Sequence, residues 1–136
     1  MPTIVALVKH VPDTWSTKTL EDDHTLDRTS VDNVIDEVNE YSVEQALRLR
    51  DNNPDAGYKV VALTMGPAQA DEALRKALAM GADDAVLVSD DSLAGADALS
   101  TAWTLNAALN KLADVPLITA GTEASDASTG LLAGLL

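Results

Sequence analysis

The sequence predicts an α/β fold with a doubly wound, mostly parallel sheet and helices on both faces. Three observations support this prediction. Short apolar runs without polar alternation, typical of strands buried on both faces, recur along the chain. Segments with apolar residues at helical spacing separate these runs. The alternation of strands with helices implies right-handed crossovers, and therefore a parallel sheet.

The first predicted strand is the apolar run at residues 3–8. Residues 17–28 alternate polar and apolar side chains, which predicts a small exposed hairpin after that strand. A helix follows, and the sequence allows two starts for it. The valines and the isoleucine of residues 31–38 have helical spacing, whereas Asn39 is a good N-cap for a helix at residues 40–50.

The remaining elements continue the alternation. Residues 58–65 predict a second buried strand, and a helix follows that ends at Gly81, a residue suited to the position after a helix. Residues 85–88 predict a third strand and residues 115–120 a fourth. Between them lies a helix with one apolar stripe: Ala98, Ala102, Leu105, Leu109 and Leu112. Trp103 lies beside this stripe, so we expect it in the core.

The last residues, 131–136, have the pattern of an apolar helix that stops within its hydrophobic face. We therefore expect residues 1–136 to be a single α/β domain and the amino-terminal portion of a longer protein.

Composition narrows the possible functions. Nine Lys and Arg against 22 Asp and Glu give a net charge of −13, which repels phosphate polymers and anionic lipid surfaces. The chain has no cysteine and two histidines, which argues against disulfides, thiol catalysis and zinc sites. No apolar run approaches the ~20 residues that span a bilayer. We expect a soluble cytoplasmic protein without a nucleic acid partner, membrane insertion or a metal.

A ligand site is predicted at the carboxyl ends of the strands, where the strand order reverses. The most informative segment is residues 121–130, after the fourth strand. Gly121 allows close approach to the backbone, and Ser125, Ser128 and Thr129 surround the start of a predicted helix, which favours an anion. In the alternative interpretation, Ser125, Asp126 and Ser128 simply cap that helix.

Signatures of other chemistries are missing. The sequence has neither a Walker-type phosphate loop nor a G-x-G-x-x-G turn, and no serine lies in a G-x-S-x-G elbow. Lys9 and His10, at a strand end, are better explained as solvated or partner-contacting residues than as catalytic ones. Trp15 lies in a polar loop, which indicates contact with a partner or a flat ligand. We predict no catalytic residue.

Three segments resemble the β subunit of electron transfer flavoproteins. They are MGPAQADEALRKALAMGAD at residues 65–83, VALVKHVPDT at residues 5–14 and NEYSVEQALRL at residues 39–49. The glycine-to-threonine loop after the fourth strand is also similar. The resemblance implies an adenine-nucleotide α-hydrolase-like fold and a nucleotide-binding role for the domain.

The resemblance further implies an electron carrier rather than an enzyme. Such a β subunit pairs with an α subunit that holds most of the FAD, and it buries a structural AMP itself. The heterodimer carries electrons from flavin dehydrogenases to a membrane quinone oxidoreductase of the respiratory chain. Transferred position by position, the implied AMP contacts are Leu7, Asp36, Glu37, Val38, Asn39, Met65, Gly121, Ser125, Asp126, Ala127, Ser128 and Thr129.

Other interpretations stay open at this point. One is an electron-bifurcating relative whose β subunit binds a second FAD in place of AMP. Another is a stand-alone nucleotide-binding domain of the universal-stress type, although residues 121–124 lack its G-x-x-G segment. An adenylating enzyme on the same scaffold would need a Ser-Gly-Gly loop that the sequence lacks.

Overall fold

The computed structural model describes residues 1–136, which form six strands and four α-helices. In chain order these are β1 (Thr3–Leu7), β2 (His10–Pro12), β3 (Asn33–Ile35), α1 (Glu37–Asn52), β4 (Lys59–Met65), α2 (Asp71–Met80), β5 (Asp84–Val88), α3 (Ala98–Leu109), β6 (Leu117–Thr119) and α4 (Leu132–Leu135). None of the helices combines the length and the apolar character needed to cross a membrane.

Four strands form one parallel sheet in the order β5-β4-β1-β6. Thr3 of β1 lies opposite Lys59 of β4, and on the other side Ile4 lies opposite Leu117 of β6. The chain builds the sheet outward from β1 through β4 to β5 and then returns to add β6 beside β1. Strand order therefore reverses between β1 and β6, so their carboxyl ends lie side by side.

Helices cover both faces of this sheet, which confirms the predicted fold class. On one face, α1 and α2 pack on the sheet through a cluster of 13 buried residues. On the other face, Leu105 and Leu109 of α3 pack against Val5, Leu7 and Leu63. All five residues of β1 are buried because the strand has a packed layer on each side. This explains why its sequence shows no polar alternation.

The predicted hairpin is present, but its arms lie outside residues 17–28. The antiparallel pair is β2 with β3, from His10 opposite Ile35 to Pro12 opposite Asn33. Residues 17–28 belong to the connection between them and contain one isolated bridge. Side chains of Asp23 and Asp27 accept hydrogen bonds from backbone N–H groups two residues ahead. The polar positions of the alternating pattern thus form turns rather than the outer face of a strand.

Helix α1 begins at Glu37, so both starts predicted from the sequence are wrong. Val34 and Ile35 belong to β3, and Asp36 takes the N-cap position. Asn39 lies within the first turn of the helix and is not its N-cap, and its Oδ1 accepts a hydrogen bond from the Lys9 N–H.

The expectation that Trp103 lies in the core is also wrong. Ala102, Leu105 and Leu109 define the buried side of α3. The next position along a helix is turned by about 100°, and Trp103 is 74% exposed.

Candidate functional site

A cleft opens where the carboxyl ends of β1 and β6 meet, at the reversal of strand order. Its volume is about 200 Å³, and its walls come from strand ends, the first turns of α1 and α3, and the loop after β6. Apolar side chains from the strand ends and from α3 form part of the lining, including Leu7, Leu63, Met65 and Leu105. The structure therefore places a cavity at the edge where the sequence predicted a ligand.

The structure divides the twelve predicted contact residues into three groups. Half of them line the cleft: Leu7, Asn39, Met65, Gly121, Ala127 and Thr129. Asp36, Glu37 and Ser125 line a second hollow, between α1, α2 and the β2–β3 pair. Val38, Asp126 and Ser128 line neither. The strand ends and the loop meet as predicted, but many of the side chains point elsewhere.

The end of β1 is fixed to the first turns of α1. The Lys9 N–H donates to Asn39 Oδ1 at 2.8 Å, and the Asp36 N–H donates to the Lys9 carbonyl at 2.9 Å. The Ser42 hydroxyl, a single donor, lies 3.2 Å from the Leu7 carbonyl oxygen and 2.9 Å from the Asn39 carbonyl oxygen. Asn39 and Ser42 are buried, so water has little access to compete for these contacts. One wall of the cleft is therefore rigid.

Asp36 fastens the loop after β6 to the start of α1. Its Oδ2 accepts the Ser125 N–H at 2.7 Å, and the residue is 1% exposed. Although Asp36 occupies the N-cap position of α1, its side chain makes no capping hydrogen bond. The carboxylate thus holds the protein's own backbone, within the second hollow rather than the cleft.

Gly121 is required by close packing against α1. A Cβ atom at this position would lie 2.9 Å from Val38 Cγ2 and 3.2 Å from Asn39 Nδ2. Contacts this short displace the backbone. The missing side chain therefore makes space for the first turn of α1. Gly121 also lines the cleft, and close approach of a ligand to its backbone stays a prediction.

Asp126 is the buried centre of an ion triad. Its Oδ1 binds Lys9 Nζ at 2.9 Å and its Oδ2 binds Arg28 Nη2 at 2.6 Å, and its side chain is 0% exposed. Burial by itself raises the pKa of Asp126, but the hydrogen bonds and charges of Lys9 and Arg28 outweigh burial and lower that pKa below its ordinary value. The carboxylate is therefore ionised at neutral pH and joins the loop to β1 and to the segment between β2 and β3.

The serines of the loop do not cap the helix that follows it. Leu131 holds the N-cap position of α4, without a side-chain cap, and α4 has four residues. The capping interpretation is therefore wrong, and so is the picture of hydroxyls around a helix start. Between residues 122 and 130, only the N–H groups of Ser125 and Ser128 donate to protein acceptors. The other backbone N–H groups of this stretch are free hydrogen-bond donors.

Comparison with known proteins identifies the family. Residues 23–136 match the family model described as the electron transfer flavoprotein domain. The chain belongs to this family. It is 46% identical over 139 aligned residues to the electron transfer flavoprotein subunit beta of Mycobacterium leprae, covering 100% of this chain and 52% of that protein. A subunit of the same name from Megasphaera elsdenii is 41% identical, over 93% of this chain and 48% of that protein.

A further relative carries a different name. The caffeyl-CoA reductase-Etf complex subunit CarD of Acetobacterium woodii is 41% identical over 93% of this chain and 47% of that protein. The chain spans about half the length of the curated relatives that it matches. Membership in the electron transfer flavoprotein family argues against the universal-stress and adenylating alternatives.

Sequence reasoning missed the side of the cleft formed by α3. Ala96, Asp97, Ala98 and Thr101 line it, and Asp97 caps α3 by accepting the Ser100 N–H at 2.8 Å. The sequence did contain a signal for this wall of the cleft. A helix that follows a strand of a parallel sheet starts at the carboxyl edge, and an aspartate directly before the apolar stripe, here Asp97, is a typical N-cap.

The second hollow is acidic and carries two exposed aromatic side chains. Trp15 is 94% exposed and Tyr41 74% exposed, and both line the hollow. Its carboxylates belong to Asp13, Asp36, Glu37, Glu40 and Glu72. The interpretation of Trp15 as a contact for a partner or a flat ligand stays a prediction.

Proposed function

We propose that residues 1–136 form the nucleotide-binding domain of an electron transfer flavoprotein β subunit and hold a structural AMP in the cleft. The observation that supports this best is the position of the cleft, at the carboxyl ends of β1 and β6 where strand order reverses. Nucleotides bind at this point in open parallel sheets. The family membership makes an adenine nucleotide the natural occupant.

The lining of the cleft suits both the adenine ring and the phosphate of AMP. The two faces of an adenine ring are flat and apolar, and Leu7, Leu63 and Met65 offer them an apolar wall. A phosphate needs hydrogen-bond donors, and the free N–H groups of residues 122–130 supply them. The AMP in this proposal has a structural role and does not react.

In the whole protein we propose the role of an electron carrier rather than an enzyme. The β subunit would pair with an α subunit that holds most of the FAD and accept electrons from flavin dehydrogenases in the cytoplasm. A quinone oxidoreductase would take these electrons into the respiratory chain. Similarity to proteins named electron transfer flavoprotein subunit beta supports this role.

A second candidate is an electron-bifurcating relative with FAD in place of AMP in the same cleft. The observation that favours it is the similarity to reductase-complex subunits. The CarD subunit and the acryloyl-CoA reductase electron transfer subunit gamma of Anaerotignum propionicum are 41% and 40% identical to this chain.

Nucleotide extraction distinguishes these candidates. The full-length protein, purified with its α subunit, is denatured, and the released nucleotides are quantified by chromatography. We expect one AMP and one FAD per heterodimer. Two FAD and no AMP would support the second candidate. Release of FAD alone, at one per heterodimer, would contradict nucleotide binding by this domain.

A further inference from the structure

Lys9 is the one cationic residue among those that line the cleft. The lining also contains two carboxylates, those of Asp97 and Glu123. The hydrogen bonds of Ser100 lower the pKa of Asp97, so this carboxylate is charged at neutral pH. In a chain of net charge −13, the side-chain charges of the cleft lining would all be negative without Lys9, which disfavours an anion.

The triad around Asp126 directs its positive charge outward. Two cations and one carboxylate leave the group with a net charge of +1. The Asp126 side chain is 0% exposed, whereas those of Lys9 and Arg28 are 37% and 35% exposed. A molecule that approaches the triad therefore meets ammonium or guanidinium groups and not the carboxylate. Of the two cations, Lys9 lines the cleft and Arg28 does not.

We propose that Lys9 binds the anionic group of the ligand in the cleft, and that Arg28 permits this by neutralising Asp126 at the same time. The inference rests on the proposed AMP function, and it identifies the side chain that recognises the phosphate. Without Arg28, the Asp126 carboxylate would have Lys9 as its sole cationic partner and would compete with the ligand for it.

The structure already holds Lys9 in a fixed position before any ligand binds. Hydrogen bonds to Asn39 and from Asp36 fix its backbone on both sides, and Asp126 holds its Nζ. A lysine side chain that is already ordered loses little further conformational entropy when it binds. Lys9 can therefore contribute most of its electrostatic attraction to affinity.

The test compares AMP with adenosine, which lacks the phosphate. Titration calorimetry is performed on the full-length protein with its α subunit, after removal of bound nucleotide. We expect Lys9→Met to weaken AMP binding by about 10–100-fold and to leave adenosine binding unchanged, because a hydrogen bond to a charged group has this magnitude. Lys9→Arg retains the charge and keeps most of the affinity for AMP.

The matched control is Lys59→Met. Lys59 pairs with Asp84 at 3.1 Å and has nearly the same side-chain exposure, 38%, but it lies at the other end of the sheet. We expect it to change neither affinity. A non-specific loss of charge would weaken AMP binding in both variants and would overturn the proposal.

A second variant covers the case in which Lys9→Met does not fold. We expect Arg28→Met to weaken AMP binding by a smaller factor, with adenosine binding unchanged. Equal losses for AMP and adenosine in either variant, or unaltered AMP binding in both, would show that Lys9 does not contact the phosphate. If the unmodified protein binds neither ligand, the proposed AMP function itself fails and this inference fails with it.

Discussion

At the scale of single residues, the buried Asp126 carboxylate makes stability depend on pH. Lys9 and Arg28 hold its pKa below the ordinary value of about 3.9, against the opposing effect of burial. Its contribution is therefore complete above pH ~5 and is lost as the pH falls through the lowered pKa. We predict that Asp126→Asn lowers the free energy of unfolding at pH 7 by about 1–3 kcal/mol and flattens its acid dependence. Denaturant titrations at pH 7, 5 and 3.5 measure both effects.

The control for this prediction is Asp71→Asn. Asp71 forms an exposed pair with Arg75 one helical turn away, and such pairs contribute about 0.5 kcal/mol or less. We expect this variant to follow the pH profile of the unmodified protein. If Asp126→Asn did the same, the triad would not stabilise the loop.

Gly121 supports a second prediction at this scale. The Cβ atom of an alanine would lie 2.9 Å from Val38 Cγ2, so the loop or α1 must move. We predict that Gly121→Ala lowers the free energy of unfolding by about 1–3 kcal/mol. Gly134→Ala is the control, because no atom lies within 4 Å of the Cβ position there. Thermal unfolding should give a lower melting temperature for Gly121→Ala than for Gly134→Ala. Equal melting temperatures would contradict the tight packing of Gly121 against α1.

The sequence predicted which residues meet at the site better than what each one contacts. Gly121 lines the cleft, Asp36 lines the second hollow and Asp126 lines neither, so the contacts that the resemblance implies for them stay predictions. Their side chains or missing side chains serve the protein's own packing. A motif fixes the position of a residue along the chain, but the direction of its side chain depends on tertiary contacts that no single segment encodes.

At the scale of elements, helix α3 and its N-cap contribute a wall of the cleft and also a negative charge that opposes the binding of an anion. Asp97 caps the helix and places a carboxylate in the cleft lining. Asparagine is an equally good N-cap and is neutral. We therefore predict that Asp97→Asn strengthens AMP binding severalfold at low salt without a loss of stability. Calorimetry and thermal unfolding of the full-length protein measure the two quantities.

Asp97→Ala separates the two roles of this residue. It removes the charge and the cap together, so we expect the same gain in affinity with a loss of about 1 kcal/mol in stability. A loss of AMP affinity in both variants would mean that Asp97 itself binds the ligand.

Elements with a long apolar pattern could be predicted from the sequence, and short elements without such a pattern could not. The apolar runs of β1 and β4 and the glycine that ends α2 gave these elements nearly their observed bounds. The start of α1 was missed because the valine and isoleucine at residues 34 and 35 belong to a short strand, β3, and α1 begins directly after it, with Asp36 as N-cap. The arms of the β2–β3 pair were missed because each has only three residues, too few to show a period.

At the scale of the whole molecule, the sheet order explains why the site lies where it does. The sequence predicted alternating strands and helices but not that β6 joins β1 on the side away from β4. Pairing between strands this far apart in sequence depends on tertiary packing that neither strand's own sequence encodes. It creates the strand reversal, and that reversal brings Leu7 and Gly121 to one cleft.

The charge of the whole molecule also determines which nucleotide the proposed site would prefer. The chain carries a net charge of −13, and the cleft lining has one cation, Lys9, against the carboxylates of Asp97 and Glu123. Each phosphate beyond the first adds negative charge without a further cation to bind it. We predict that affinity decreases from AMP to ADP to ATP, by about threefold or more per phosphate at 0.1 M salt. Because salt screens repulsion between exposed charges, the differences should shrink at 0.5 M salt. Competition titrations with the three nucleotides at both salt concentrations measure these affinities. Tighter binding of ATP than of AMP would contradict the prediction, because it would require further cations beside the cleft lining.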